Sequence, residues 1–422
     1  MLKKFVKAYS KKLSHHTLRF LKWSLVSILT GLFVGAISTL FSFLLKCAGD
    51  FREEHDFIIL FLPLGGLVTV FLYSFFRYKN DKGTNLVLST IHAKSEIPFR
   101  MAPLIFITTI ITHLFGGSAG REGAALQLGG SLGNQLGRWF RFDDADKRVV
   151  VLCGMTAAFS AVFGTPMAAV MFSLEVVSVG VMYYAALLPC VFSSLIASYF
   201  SSLFGLKEHA FRELVFPRLS FLSAFETILL SGLCALLSIL FIVFLHWTGD
   251  FFRKYLKNPY IRIFSAGCFI VLFTYLLNTR DYNGAGIEVI ARAVNKGEAV
   301  PYAFILKMIF TAVTIEAGFR GGEIVPSFFI GATFGCTFGS MIGFSPACCA
   351  AIGLIAMFCG VTNCPITSLL ISFELFGASG VYYYMIAIAV SYFMSGYYGL
   401  YKDQTIVYSK YRTKFLNRRT RQ

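Results

Sequence analysis

Apolar positions run along this chain in long blocks, and the polar positions between them are short and clustered. Eleven blocks have membrane-segment character: Trp23 to Leu45, Phe57 to Phe76, Met101 to Phe115, Val149 to Leu174, Val181 to Phe204, Phe221 to Leu245, Ile263 to Leu277, Ala303 to Ile315, Ser327 to Ile342, Ala350 to Leu375 and Val381 to Ser395. Several fall short of the roughly 20 residues that a perpendicular membrane helix needs. The pattern therefore predicts an all-α polytopic membrane protein in which short, glycine-interrupted helices meet inside the fold. Composition agrees: of 422 residues, 56% are hydrophobic and 14% charged, more apolar surface than a soluble core can hide.

Charge changes the picture only at the ends. The net charge of +16 concentrates in Lys3, Lys4, Lys7, Lys11, Lys12, Arg19 and Lys22, and in Lys410, Arg412, Lys414, Arg418, Arg419 and Arg421. Beside apolar spans, such clusters are positive-inside and lipid anchors, so both termini are expected in the cytoplasm and no nucleic-acid partner is implied. Residues 1–22, with leucines and phenylalanines among lysines and no cleavable signal pattern, are expected to form an interfacial amphipathic helix. The ten cysteines have no CxxC or Cys/His spacing, so neither a disulfide scaffold nor a metal site is indicated.

A repeat of about 200 residues organises the rest. Ser38, Leu40, Phe41, Leu45, Gly49, Asp50 and Phe51 match Ser238, Leu240, Phe241, Leu245, Gly249, Asp250 and Phe251. Gly154, Ala157, Phe159, Val162, Pro166, Ser173 and Glu175 match Gly353, Ala356, Phe358, Val361, Pro365, Ser372 and Glu374. Matching Gly, Pro, Asp and Glu in order is hard to obtain by chance among apolar helices. The chain divides accordingly into an N-terminal helix (1–22), a first membrane repeat (23–205), a linker (206–220), a second repeat (221–401) and a basic cytoplasmic tail (402–422).

Two carboxylates stand out in this frame: Glu122 in Gly120-Arg121-Glu122-Gly123, and Glu323 after Gly321-Gly322. An ionisable residue at membrane depth is costly and marks an ion or proton pathway by default. Registered by the repeat, the two breaks occupy equivalent places and should face each other. Each is followed by a helix-forming run, so two helix N-termini would converge with unpaired N–H groups and positive dipole ends, an anion site needing no buried lysine. A carboxylate there competes with the anion while ionised and withdraws when protonated, which couples anion and proton movement through one side chain.

Gly120-Arg121-Glu122-Gly123, the stretch Gly322 to Pro326, and Tyr401 after the last apolar segment resemble the three anion-site elements of the CLC family of chloride channels and proton-coupled antiporters. The likeness covers nearly the whole chain, including Thr165-Pro166 and Asn363-Cys364-Pro365. It implies a homodimer of inverted-repeat subunits, each with its own ion path. It assigns gating and proton transfer to Glu122, with Glu323 beside it. Anion binding falls on the backbones of Gly120, Arg121, Gly123, Gly322, Ile324 and Val325, with a hydroxyl from Tyr401.

Three departures refine the resemblance. Where most members read GxFxP, this chain has Glu323 within Gly322-Glu323-Ile324-Val325-Pro326, a substitution similar to the bacterial fluoride/proton antiporter clade. The serine loop of chloride-selective members is replaced by Lys82-Gly83-Thr84-Asn85-Leu86, leaving Gly83, Thr84 and Asn85 as candidates for the missing ligand. Val176 stands where chloride antiporters carry an internal proton-transfer glutamate. Fluoride, small and strongly hydrated, demands hard donors in place of its water. The reading is a fluoride/proton antiporter of the cell membrane without cofactor, metal or enzymatic activity. The alternative is a chloride channel or chloride/proton antiporter of the same family.

Blander readings remain open in the sequence. Glu122 could pair with Arg121, Glu323 with Arg320, and Tyr401 could be a belt aromatic, with Tyr397, Tyr398 and Tyr408 as rivals. Glu175 and Glu374 are expected to cap or pair at helix ends facing water. Lys307, Glu316 and His113 are expected to snorkel or pack. An intramembrane enzyme finds no support, because HExxH, GxSxG and phosphate-loop signatures are all missing.

Overall fold

The structure, a computed structural model, describes residues 2–78, 83–92, 97–206, 211 and 213–421, with side chains from residue 16 onward apart from that of 92. Its described residues form eight helices and then eight more in the same order. The first half holds α1 (Leu2–Glu54), α2 (Leu62–Phe75), α3 (Thr84–His92), α4 (Met101–Leu114), α5 (Glu122–Trp139), α6 (Asp144–Phe163), α7 (Pro166–Glu175) and α8 (Leu187–Leu203). Equivalent to them are α9 (Phe221–Tyr255), α10 (Pro259–Leu276), α11 (Ile287–Lys296), α12 (Ala303–Ala317), α13 (Ile324–Ile342), α14 (Pro346–Thr362), α15 (Pro365–Phe376) and α16 (Val381–Met394). Among the described residues six helical segments are long and apolar enough to cross a bilayer, and five shorter apolar helices accompany them.

Proline explains why two expected spans are each a helix pair. The residue before a proline is pushed out of the helical region. Thr165 sits at φ −117°, ψ 81° and Cys364 at φ −116°, ψ 76°, so α6 ends before α7 and α14 before α15 by the same backbone turn. The left-handed residues that close α6 and α14, Gly164 at φ 74° and Asn363 at φ 60°, are also repeat equivalents.

The halves are inverted and interlocked. Glu175, in the last turn of α7, accepts N–H bonds from Ile366 (3.2 Å) and Thr367 (2.9 Å) at the start of α15. Glu374, in the last turn of α15, accepts N–H bonds from Met167 (2.8 Å) and Ala168 (2.9 Å) at the start of α7. Each helix thus satisfies the exposed N–H groups of the other, which requires the pair to run antiparallel. Both glutamates cap helix starts as expected, but Glu175 is buried inside the protein and does not face water, while Glu374 is half-buried.

Glycine sets the closest helix crossings. A Cβ on Gly129 in α5 would lie 2.2 Å from the carbonyl oxygen of Gly154 in α6, and one on Gly331 in α13 would lie 2.3 Å from that of Gly353 in α14. Backbone contact of this kind drives membrane helix packing where lipid removes the hydrophobic incentive. Around this centre the outer helices turn large apolar side chains such as Leu25, Phe71, Phe225 and Leu236 outward.

Three expectations need revision. No helix end falls at residue 22, because α1 continues without interruption through Leu2–Glu54, a stretch with no proline and no capping residue at that point. The segment 402–422, expected as a basic tail, carries strands. Its strands β2 (Thr405–Tyr408) and β3 (Phe415–Arg419) form a hairpin, and β2 pairs in parallel with β1 (Ser178–Val179) after α7. A small three-stranded sheet therefore sits on an otherwise helical fold. Among the elements absent from the apolar blocks, α3 and α11 are short and amphipathic, and α5 is too rich in glycine to read as a span.

Packing at the glycine crossings generates a prediction. Gly331→Val should destabilise the protein by about 1–3 kcal/mol through overpacking. Gly49→Ala, at a position whose Cβ would meet nothing within 4 Å, should stay within about 0.5 kcal/mol of wild type. Thermal unfolding of the purified variants in detergent separates the two.

Candidate anion site

The glycine breaks meet as a two-fold pair. The Gly120 N–H donates to the Gly322 carbonyl at 2.7 Å, and the Gly322 N–H donates to the Gly120 carbonyl at 2.8 Å. No larger residue fits there: a Cβ on Gly321 would come within 2.4 Å of the Ala119 Cβ, and one on Gly322 within 2.5 Å of the Gly123 nitrogen. Because the loops are stitched together, α5 and α13 begin side by side.

Their first turns carry amides that the helices cannot use. The earliest bonds inside the two helices are Ala125 N–H to Arg121 O at 2.9 Å and Ser327 N–H to Glu323 O at 3.0 Å. The amides of Glu122, Gly123, Ala124, Ile324 and Val325 therefore precede the first helical acceptors, at the positive ends of two helix dipoles. Pro326 has no N–H to add. Ile324 and Val325 are buried, so a ligand at their amides would be held away from bulk water.

Glu122 is fully buried at the head of α5. Its Oε2 accepts the Arg121 backbone N–H at 3.1 Å, and its Oε1 lies 3.8 Å from the Arg121 Nε. The pairing with Arg121 is thus present, and it places the carboxylate at the helix start. Arg121 also lines a cavity of about 270 Å³ with Arg52, Glu53, His113, Asn283 and Glu288. Several waters fit in that volume, so Glu122 is one residue away from a wettable space.

Glu323 holds the equivalent end of α13, at its N-cap, without capping any α13 amide by its side chain. The guanidinium of Arg320 stacks over the Tyr73 ring at 4.1 Å. Tyr401 is 2% exposed, and its hydroxyl has no hydrogen-bond partner among the described residues. Its rivals are placed elsewhere: the Tyr397 hydroxyl bonds Ser409 at 2.7 Å, and Tyr408 is largely exposed.

The loop that replaces the serine ligand also reaches this junction. Thr84, which opens α3, directs its hydroxyl to the Gly123 carbonyl at 3.4 Å and accepts Gln127 Nε2 at 3.4 Å. Asn85 accepts the Asp403 N–H at 3.2 Å, which ties α3 to the segment after Tyr401. Gly83 adjoins them, 3.8 Å from Gln127 Nε2 if given a Cβ. Lys82 lies outside the described residues. The structure thus brings together Gly83, Gly120, Arg121, Glu122, Gly123, Gly322, Glu323, Ile324 and Val325, with Tyr401 buried in the segment that Asn85 ties to α3. Gln127 was not foreseen; its sequence signal is a lone amide one turn beyond Gly123 in a glycine- and leucine-rich helix.

Three other residues singled out by the sequence are buried inside the fold. Lys307 does not snorkel: it is fully buried, and its Nζ donates to the carbonyls of Tyr282 (3.1 Å) and Gly284 (2.7 Å). His113 is buried at the end of α4, where its carbonyl accepts Arg52 at 2.9 Å. Val176 is fully buried, and its carbonyl accepts Gln404 Nε2 at 3.0 Å. Among the described residues no group of His, Cys, Asp and Glu is arranged to hold a metal.

Inverted halves, apolar outer helices and paired helix N-termini at the centre define a multi-pass membrane protein of the ion-transporting class. Residues 65–396 match the family described as voltage gated chloride channel. The chain belongs to that family, the CLC proteins, and is a membrane anion transporter. A chloride/fluoride channel protein of Pseudomonas syringae pv. tomato is 35% identical over 400 residues, covering 92% of this chain and 88% of its own. The H(+)/Cl(-) exchange transporter ClcA of Vibrio cholerae is 25% identical over 388 residues, covering 83% and 81% respectively. Among solved structures, a CLC-type fluoride/proton antiporter matches with a TM-score of 0.86 at 32% identity, over 91% of this chain and 98% of that one. A slow cyanobacterial Cl-/H+ antiporter matches with a TM-score of 0.75 at 18% identity, over 88% and 94%, a likeness of fold alone.

The close approach at the junction can be tested directly. Gly322→Ala should push the Gly123 amide aside and lower anion flux by at least about tenfold, since misplacement on the order of 1 Å costs that much or more at a positioned site. Flux from liposomes loaded with the purified variant measures it.

Proposed function

We propose that this chain exports fluoride from the cell in exchange for protons, with Glu122 as the gating and proton-carrying group. The observation that carries the reading is the buried Glu122 carboxylate at the meeting point of two helix N-termini. An ionised carboxylate and a small anion compete for the same amides, because both are stabilised by N–H donors and by the dipole ends. Protonation removes that competition, so the side chain yields its place as it takes up a proton. Each arrival of fluoride is then linked to a protonation of Glu122, and each departure to its return.

Fluoride rather than chloride is favoured by the second acid. Glu323 supplies a carboxyl group at the head of α13, and in its protonated form it donates a hard hydrogen bond of the kind a strongly hydrated anion requires. Ionised, it repels the anion and so tunes occupancy. The relatives support this reading, since one is named a chloride/fluoride channel and a matching structure is a fluoride/proton antiporter. Val176, buried and apolar, offers no proton acceptor on the route of chloride antiporters. The protein works in the cell membrane as a homodimer with both termini cytoplasmic, as the family resemblance and the basic ends imply. Its chemistry is transport and not catalysis.

Glu122→Gln keeps the shape of the side chain and removes its proton. Fluoride should still run down its gradient from liposomes, while proton movement falls to the background of empty vesicles. A variant that still concentrates fluoride using a pH gradient contradicts the assignment. In the wild-type protein, a fluoride electrode should report faster efflux than a chloride electrode at equal gradients; faster chloride efflux would favour a chloride transporter.

A further inference from the structure

Beyond the residues that face the anion, one buried amide links the segment carrying Tyr401 to both repeats, and we infer that Gln404 is the positioning residue that fixes the Tyr401 hydroxyl at the site. The inference rests on the assignment of that hydroxyl to the anion site.

Tyr401 lies outside any helix or strand, three residues before the end of the turn that leads to β2. A loop tyrosine needs outside constraints if its hydroxyl is to stay aimed, and those constraints converge on Gln404. This residue is fully buried, and each polar atom of its side chain is used. Its Nε2 donates to the Thr362 carbonyl at the end of α14 (2.8 Å) and to the Val176 carbonyl at the end of α7 (3.0 Å). Its Oε1 accepts Asn363 Nδ2 at 3.1 Å. The backbone of Gln404 completes the link, because its N–H donates to the Tyr401 carbonyl at 3.1 Å.

This arrangement joins elements from both halves of the repeat. The Val176 carbonyl ends α7 of the first repeat and the Thr362 carbonyl ends α14 of the second, and burying a helix-end acceptor without a donor is a costly state that the amide removes at Val176. Gln404 therefore registers Tyr401 against both halves at once. The C-terminal hairpin closes the clamp from outside: Thr420 donates its N–H to the Gln404 carbonyl at 3.1 Å and its hydroxyl to the Tyr401 carbonyl at 2.7 Å. A fully satisfied buried network of this kind specifies one geometry more strongly than any single contact does. An apolar residue at 404 would remove three buried side-chain hydrogen bonds and loosen the segment that carries the tyrosine.

The test is a double-mutant cycle on full-length protein in liposomes, with Gln404→Met, Tyr401→Phe and the double variant, read by fluoride flux and by protons moved per fluoride. Gln404→Met should lower flux about tenfold, and the double variant should be no slower than the slower single variant, because coupled residues fail to add. Multiplying losses in the double variant overturn the inference, since a purely structural defect acts whatever stands at 401. Wild-type flux in Gln404→Met overturns it as well. If Tyr401→Phe behaves as wild type, the tyrosine has no site role, and the underlying assignment falls instead. Thr420→Val, a milder cut at the same clamp, keeps the test decisive if Gln404→Met does not purify as a folded protein: it should slow flux in the Tyr401 background and leave it unchanged in the Tyr401→Phe background, and any other pattern contradicts the inference.

Discussion

Two glycine backbones hydrogen-bonded to one another set the geometry on which the rest of this protein depends. The Gly120–Gly322 pair is itself two-fold, and it forces the heads of α5 and α13 to within backbone contact. Everything functional about the centre follows from that constraint. Helix starts brought this close pool their unused amides and their dipoles into a buried site of positive potential, with the buried Arg121 beside it. The cost is that neither break tolerates a side chain on its central glycines, which is why the local sequence is so poor in anything else.

The surrounding architecture protects this contact in a redundant way. Farther out, α7 and α15 cap one another through Glu175 and Glu374, again a reciprocal exchange across the same pseudo-symmetry. Closer in, the Gly129–Gly154 and Gly331–Gly353 crossings lock each site helix against the next helix of its own half. Polar groups in this membrane protein are thus satisfied by the opposite repeat rather than by water, as an environment without water demands. A buried carboxylate such as Glu122 is tolerated in that setting only beside donors, and the donors are the helix start it occupies.

Much of this was legible in the sequence because the signals were covalent in origin. Proline at 166 and 365 disfavours helix at the preceding residue, so the breaks inside the blocks 149–174 and 350–375, taken as single spans, were also there to be read. Glycines flanking an acid in two registered places told of close approach and of a shared centre. Less legible were features that depend on where side chains end up in space. Residues 16–22 look like the end of an interfacial helix, yet nothing in them stops the helix, and α1 runs on. The tail reads as a basic anchor, but its strands find a partner in Ser178–Val179, a contact more than 220 residues away that no local pattern announces. Gln127 and Gln404 were passed over because a lone amide has no motif; their weight comes only from the carbonyls and hydroxyls the fold places around them.

The central claim is that a small anion and the Glu122 carboxylate compete for one set of amides, so that binding the first protonates the second. Proton uptake on adding fluoride to the detergent-solubilised protein, followed with a pH indicator in weakly buffered solution, tests this most directly. The account predicts that wild-type protein takes up protons as fluoride binds and that Glu122→Gln binds fluoride without doing so. Fluoride binding with no proton uptake in the wild type, or with equal uptake in Glu122→Gln, would contradict it.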